Sequence, residues 1–187
     1  EDANSIRSPK IQALIDSLHQ SGQEIGIHPG YDTYNNEVEF TKSISQFTSV
    51  YDLSNEGDSG VGGRQHYLRY GVGVTPRLWE GNGLRYDSSL GYADSAGFRA
   101  GSCYEYTMYD LIARRPLKLK QRPLVAMDCA VISKGYEGLG FTSIAMRRFK
   151  QLEEICKKYQ GDYTLLWHNS FFTDTRSKKF YMELINA

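Results

Sequence analysis

The sequence has no excess of charge of either sign: 22 Lys+Arg stand against 22 Asp+Glu. Without surplus positive charge it is a poor candidate for nucleic-acid binding, whose affinity comes from neutralising phosphates. It has no polybasic segment for an anionic membrane surface. No apolar run approaches the roughly 20 residues of a membrane span. Residues 1–4, Glu-Asp-Ala-Asn, lack the basic and apolar regions of a signal peptide, which favours the cytoplasm and leaves export open. Cysteine is scarce: Cys103, Cys129 and Cys156 are odd in number and form no C-x-x-C pair, so a structural zinc knuckle is not expected. They read as small buried apolar residues in a reducing compartment. There is no repeat, and no G-x-S-x-G, P-loop, G-x-G-x-x-G or H-E-x-x-H, which removes the commonest hydrolase, nucleotide and zincin readings. Aromatics, by contrast, are plentiful: 14 Tyr, 8 Phe and 2 Trp among 187 residues. Tyr combines a flat apolar face with a polar tip, which suits sugars and equally suits ordinary core and surface positions.

The length fits a single domain over residues 1–187, long enough for a core of its own. Ser8-Pro9 opens an amphipathic helix with Ile11, Leu14, Ile15 and Leu18 on one face, ended by Gly22. Residues 24–28 read as a short strand broken by Pro29-Gly30. A helix is expected over about 36–50, a loop over 52–63, a strand over 64–70 and a short helix from Thr75-Pro76. The stretch 84–115 reads as strand ends joined by ordered loops. A buried strand is expected within 123–132, a helix capped by Thr142 and ended by Gly161, a buried strand over 163–168 and a helix over 177–186. Short apolar strands alternating with helices favour parallel pairing, so the fold class is an α/β layer or barrel. Such folds bind ligands at the carboxyl ends of their strands.

Two expected strands end in histidine, His28 and His168, and His66 lies in a third. Imidazole is a common zinc ligand and exchanges protons near neutral pH. A strand-end histidine is also often only a hydrogen-bonded structural residue. His19, in the last turn of the first helix, receives no function. Asp32 follows His28 by four residues and would share its face if the chain turned helically there; an Asp in a Pro-Gly turn is equally ordinary. Arg64 and His66 would share one face of a strand. The segments 86–89 and 97–101 are polar and suited either to lining a site or to turns.

Taken in order, residues 24–31 (EIGIHPGY), 64–69 (RQHYLR), 86–101 (YDSSLGYADSAGFRAG), Met127-Asp128 and 165–170 (LLWHNS) resemble the polysaccharide deacetylase family, the NodB-homology domains of carbohydrate esterase family 4. The closest branch is one common in bacterial surface-polysaccharide gene clusters. The resemblance spans nearly the whole chain, and its central segment is the most specific. It implies a distorted (β/α) barrel, a divalent metal, usually zinc, and hydrolysis of N- or O-acetyl groups on a sugar or polysaccharide. His28 matches the first histidine of the family's second motif, and Asp32 stands where the second histidine belongs. Arg64 and Tyr67 match the third motif, with His66 in place of its proline; Arg99 is an alternative match. Leu165 to His168 matches the fifth. The first motif, which supplies a catalytic Asp, should precede the first helix, and nothing before Ser8 serves. The resemblance therefore implies a domain without its first strand.

On that resemblance the metal ligands are His28, His66 and Asp32. His168 is the general acid, and the Tyr67 backbone N–H helps hold the oxyanion. Arg64 orients the catalytic Asp and is itself fixed by Asp87 or Asp128. Two other readings compete. One is a non-catalytic member that keeps a sugar cleft for binding or scaffolding; the other is a different metal-dependent amidohydrolase on the same fold. An incomplete barrel would expose an apolar edge, which a homo-oligomer would cover.

Overall fold

The computed structural model describes residues 5–52 and 60–186; most of the loop expected over 52–63 lies outside them. The chain divides into two compact units, Glu1–Ser89 with Tyr106–Gln121, and Leu90–Glu105 with Arg122–Ala187. No helix among the described residues is long and apolar enough to cross a membrane.

The first unit begins with α1 (Pro9–Gln20), which has Pro at its start and no buried residue. Leu14 is 52% exposed and Leu18 38%, so only part of the apolar face that predicts this helix meets the core, with Ile15 packed half-buried against it. α2 (Glu37–Thr48) is capped by Asn36, whose side chain accepts the Glu39 N–H, and it buries Phe40, Ile44 and Phe47. α3 (Thr75–Gly81) buries Leu78 and Trp79. Between α2 and α3 the expected strand over 64–70 is instead a 3₁₀ turn at His66–Leu68. Two residues there, Tyr67 and Leu68, have φ of 57° and 53°, which stops any strand at His66, while Gln65 before it is still extended.

β1 (Tyr86–Asp87), β3 (Arg115–Gln121) and β2 (Tyr106–Asp110) form one sheet in that spatial order. β1 runs parallel to β3, and β2 is antiparallel to it. Single parallel bridges extend the row, Ile27 to Gly63 and Gly63 to Asp87. The expected strand over 24–28 is thus reduced to a bridge. The backbones approach so closely at Gly63 that a Cβ there would lie 1.9 Å from the Ile27 carbonyl oxygen. The hairpin β2–β3 falls where the sequence suggests mostly loops. In β3, Leu117, Leu119 and Gln121 point inward while Lys118 faces out, the alternation of a strand with one buried face. The core of this unit joins Ile25, Ile27, Phe40, Phe47, Trp79, Leu84, Leu117 and Leu119.

In the second unit β4 (Ala126–Met127) pairs parallel with β5 (Leu165–Leu166). The strand expected within 123–132 ends after two residues, and Asp128–Ile132 forms a short helix, α4. α5 (Ser143–Lys158) starts at Thr142, whose hydroxyl accepts the Ala145 N–H, and ends with Lys157 and Lys158 against its negative pole. Ala145, Phe149, Leu152 and Cys156, spaced four, three and four, form its buried stripe. α6 (Thr175–Ile185) opens with a capping box between Asp174 and Ser177. Phe149, Trp167 and Phe180 stand at the centre of an aromatic core.

Candidate functional site

In the first unit the chemistry gathers at the ends of the parallel row. Ile27, Gly63, Asp87 and Gln121 lie side by side in register, and His28, Arg64 and Ser88 follow the first three directly. Only where the strands stop do side chains escape the core alternation, which is why reactive groups collect there.

His28 Nδ1 lies 2.7 Å from the Arg64 carbonyl oxygen. A carbonyl only accepts, so Nδ1 carries the proton and the lone pair of the neutral ring sits on Nε2, as in a metal-ligating or proton-accepting histidine. The His66 ring stands 5.1 Å from the His28 ring, centroid to centroid, at 78°. Two of the three expected metal ligands therefore come together. The third does not: Asp32 Oδ1 accepts a hydrogen bond from Arg69 Nη1 at 3.1 Å, and its side chain is 82% exposed. These three residues form no cluster of ligand atoms within 4.8 Å. A zinc shell needs ligands about 2.0–2.2 Å from one ion. The two imidazoles fit such a shell in kind, and Asp32 does not complete it.

Arg64 donates from Nε to the Ser88 carbonyl and from Nη2 to the Ser88 hydroxyl, both at 2.8 Å. Burial pulls its pKa down, while the charges of Asp87 and Tyr86 hold it up. Asp87 is fully buried. Burial pushes its carboxyl up to about 6, against hydrogen bonds from Ser89 and the charge of Arg64. The Ser89 hydroxyl donates to Asp87 Oδ1 and accepts the Gln65 N–H at 2.8 Å. Gln121 Nε2 donates to the Asp87 carbonyl at 2.8 Å. Asp87 Oδ2, Gln121 Oε1 and Gln65 Nε2 have no hydrogen-bond partner among the described residues. Burial and the nearby Asp87 charge also raise the phenols of Tyr70 and Tyr106. Tyr67 lies in the 3₁₀ turn and is 73% exposed.

In the second unit the ends of β4 and β5 bring Asp128 and His168 together. His168 Nδ1 lies 2.7 Å from Asp128 Oδ1, and the His168 backbone N–H donates to Asp128 Oδ2. The Cys129 N–H also donates to Oδ1, at 2.5 Å. Asp128 is fully buried, whereas the His168 side chain is 41% exposed. A carboxylate surrounded by three N–H donors fixes the imidazole with its proton on Nδ1, leaving Nε2 to take up or deliver a proton. Asp128 is thus the partner of His168, and Arg64 is held by Ser88 with Asp87 as its nearby charge. The position of Asp128 directly after an apolar strand was the available signal, the same one that marks His28.

Asp128, Cys129 and His168 form the one group of three ligand types within 4.8 Å among the described residues, and it can hold a metal ion. Nothing in the donor set identifies the ion. Burial and the Asp128 charge push the Cys129 thiol up, so a metal would have to displace a proton held more firmly than usual. Compared with known protein families, curated proteins and solved structures, the chain matches none of them.

Proposed function

We propose that this chain is a hydrolase that removes N- or O-acetyl groups from a sugar or polysaccharide, on a distorted (β/α)-barrel domain of the polysaccharide deacetylase kind. The observation that carries this reading is the buried Asp128 holding His168 Nδ1 at 2.7 Å, with the imidazole reaching solvent. In this reading His168 Nε2 takes the proton of the attacking water, Asp128 steadies the imidazolium so formed, and Nε2 then delivers that proton to the departing amine nitrogen or alkoxide oxygen. The short parallel row ending in His28, Arg64 and Asp87 supports the same fold class. Zinc is the metal the reading assigns, with His28 and His66 among its ligands. When bound, it polarises an acyl carbonyl and lowers the pKa of water to about 7.

The test is acetate release from chitooligosaccharides and from O-acetylated polysaccharides, with zinc supplied. The parent chain should release acetate, and His168→Gln should lose roughly 10²- to 10⁴-fold in rate, the usual contribution of a positioned general acid. No acetate from any of these substrates overturns the proposal. A second reading, a sugar-binding protein without catalysis, is favoured by the pairing of Asp32 with Arg69, which leaves the His28–His66 pair short of its third expected ligand. Under that reading the same oligosaccharides bind and stay acetylated.

A further inference from the structure

Two of the three cysteines converge where α5 ends. The helix stops in a Schellman arrangement: the Gln160 N–H donates to the Lys157 carbonyl at 3.0 Å, and the Gly161 N–H to the Cys156 carbonyl at 2.9 Å. The left-handed residue of this ending is Gln160, at φ 57°, and not the glycine beside it. Gly161 answers a different demand. A Cβ there would lie 2.2 Å from Cys103 Sγ, so any side chain would displace that sulfur. The next amide, Asp162 N–H, donates to the Cys103 carbonyl at 3.0 Å. Alongside, the Tyr104 hydroxyl donates to the Tyr159 carbonyl. Two consecutive amides thus hold the carbonyls of Cys156 and Cys103, which sets the two backbones side by side.

The two thiols meet side chain to side chain. Cys103 is 5% exposed and Cys156 1%, both in one apolar core, and both are free thiols. A thiol is a weak donor and a weak acceptor, so the contact adds little to the reduced core. Burial and the Cys103 neighbour push the Cys156 thiol up to about 12. Thiolate is then scarce, and the folded pair exchanges slowly with outside thiols and disulfides.

We propose that Cys103 and Cys156 are a disulfide site: in oxidising surroundings the chain folds with these two sulfurs bonded, and Cys129 stays a thiol. The step is thiol–disulfide exchange with a small-molecule disulfide such as oxidised glutathione. One cysteine thiolate attacks a glutathione sulfur and releases one glutathione thiolate, leaving a mixed disulfide. The other thiolate attacks the cysteine sulfur of that mixed disulfide and releases the second. Two protons leave the protein thiols for the two glutathione thiolates, and two electrons pass from protein to oxidant. The bond ties the segment 90–105 to α5, both within the second unit. Closing so long a loop restricts the unfolded chain far more than the folded one. In reducing surroundings the pair remains the two buried thiols expected from the sequence. The site is independent of the hydrolase reading.

The test is refolding of the reduced, urea-unfolded full chain into mixtures of reduced and oxidised glutathione at mildly alkaline pH, then acid quench, alkylation and peptide mass mapping. The expected product holds a Cys103–Cys156 disulfide and an alkylated Cys129. Its yield against the glutathione ratio gives the effective concentration of one thiol at the other. That value should be roughly a hundredfold higher in native buffer than in concentrated urea, the factor matching a typical native disulfide. By linkage the bond then stabilises the fold equally, so the oxidised chain should unfold at a higher urea midpoint than the reduced one. Cys103→Ala and Cys156→Ala should each keep both remaining cysteines as thiols. The folded parent, held in the same mixtures without unfolding, should reach the same product more slowly. Three thiols at the end of both routes overturn the site, as does a disulfide to Cys129 or a glutathione adduct that never resolves. Equal effective concentrations in buffer and urea, or a midpoint lowered by the bond, also overturn it, since the fold would then hold the sulfurs apart.

Discussion

Replacing Asp87 with Asn should flatten one component of the protein's pH-dependent stability. Burial raises the Asp87 carboxyl from the ordinary 3.8 to about 6 in the folded chain. A proton bound more tightly in the folded state stabilises it fully at a pH below the unfolded value. That contribution is lost as pH rises, because the unfolded chain gives up its proton first. The window runs from about pH 4 to about pH 6, and two pKa units correspond to about 3 kcal/mol. No solvent discount applies, since Asp87 is fully buried. Asn adds a constant cost of its own, because its NH₂ group falls where Asp87 Oδ2 has no partner. That constant cancels when the difference between parent and Asp87→Asn is followed across pH. Urea unfolding at steps between pH 4 and pH 7 should show the parent losing about 3 kcal/mol relative to the variant as pH rises. Other carboxylates titrate alike in both proteins and drop out. Parallel curves for parent and variant would refute the argument that burial raises this carboxyl.

Gly63→Ala should destabilise the first unit by several kcal/mol, since the new Cβ would meet backbone, the Ile27 carbonyl, at 1.9 Å; a midpoint in urea within error of the parent's contradicts the close approach. Zinc uptake by the purified chain, in buffer free of chelator, should fall on His28→Ala or His66→Ala and remain unchanged on Asp32→Ala, whose exposed carboxylate is paired with Arg69. Zinc lost on Cys129→Ser instead would place the ion at the Asp128–Cys129–His168 cluster.

Elements with both a period and a cap were legible in the sequence. α2, α5 and the proline-led α1 and α3 fall where spacing and end residues predict them, because helix signals are local. The hairpin β2–β3 was not legible. Its inner strand, RPLKLKQ, carries three cations and a proline, and only the alternation of Leu117, Leu119 and Gln121 betrays it. Asp128–Ile132 falls within the stretch expected to hold a buried strand and is a helix, since five apolar-rich residues have too little length to show a period. At the candidate site, His28 and His168 were marked by their place after apolar runs. Their pairings were not: Asp128 follows an apolar run too, but it meets His168 across 40 residues of chain. Asp32 was assigned by distance along the chain from His28, and the competing attraction of Arg69 is invisible in that spacing. The polar network of Gln65, Ser89, Asp87 and Gln121 likewise exists only once four distant segments are laid in register.

The unburied face of α1 bears on how the protein breathes. Ile11, Leu14, Ile15 and Leu18 border a cleft of about 800 Å³, and of these Ile15 packs, half-buried, against the core. A 12-residue helix has marginal stability by itself in water, so it depends on packing that α1 largely lacks. Its amides therefore belong to the low end of the local-stability range, opening without the rest of the first unit, while those of α2, locked by Phe40, Ile44 and Phe47, open only with the core. Hydrogen exchange should therefore show the amides of α1 exchanging ahead of those of α2.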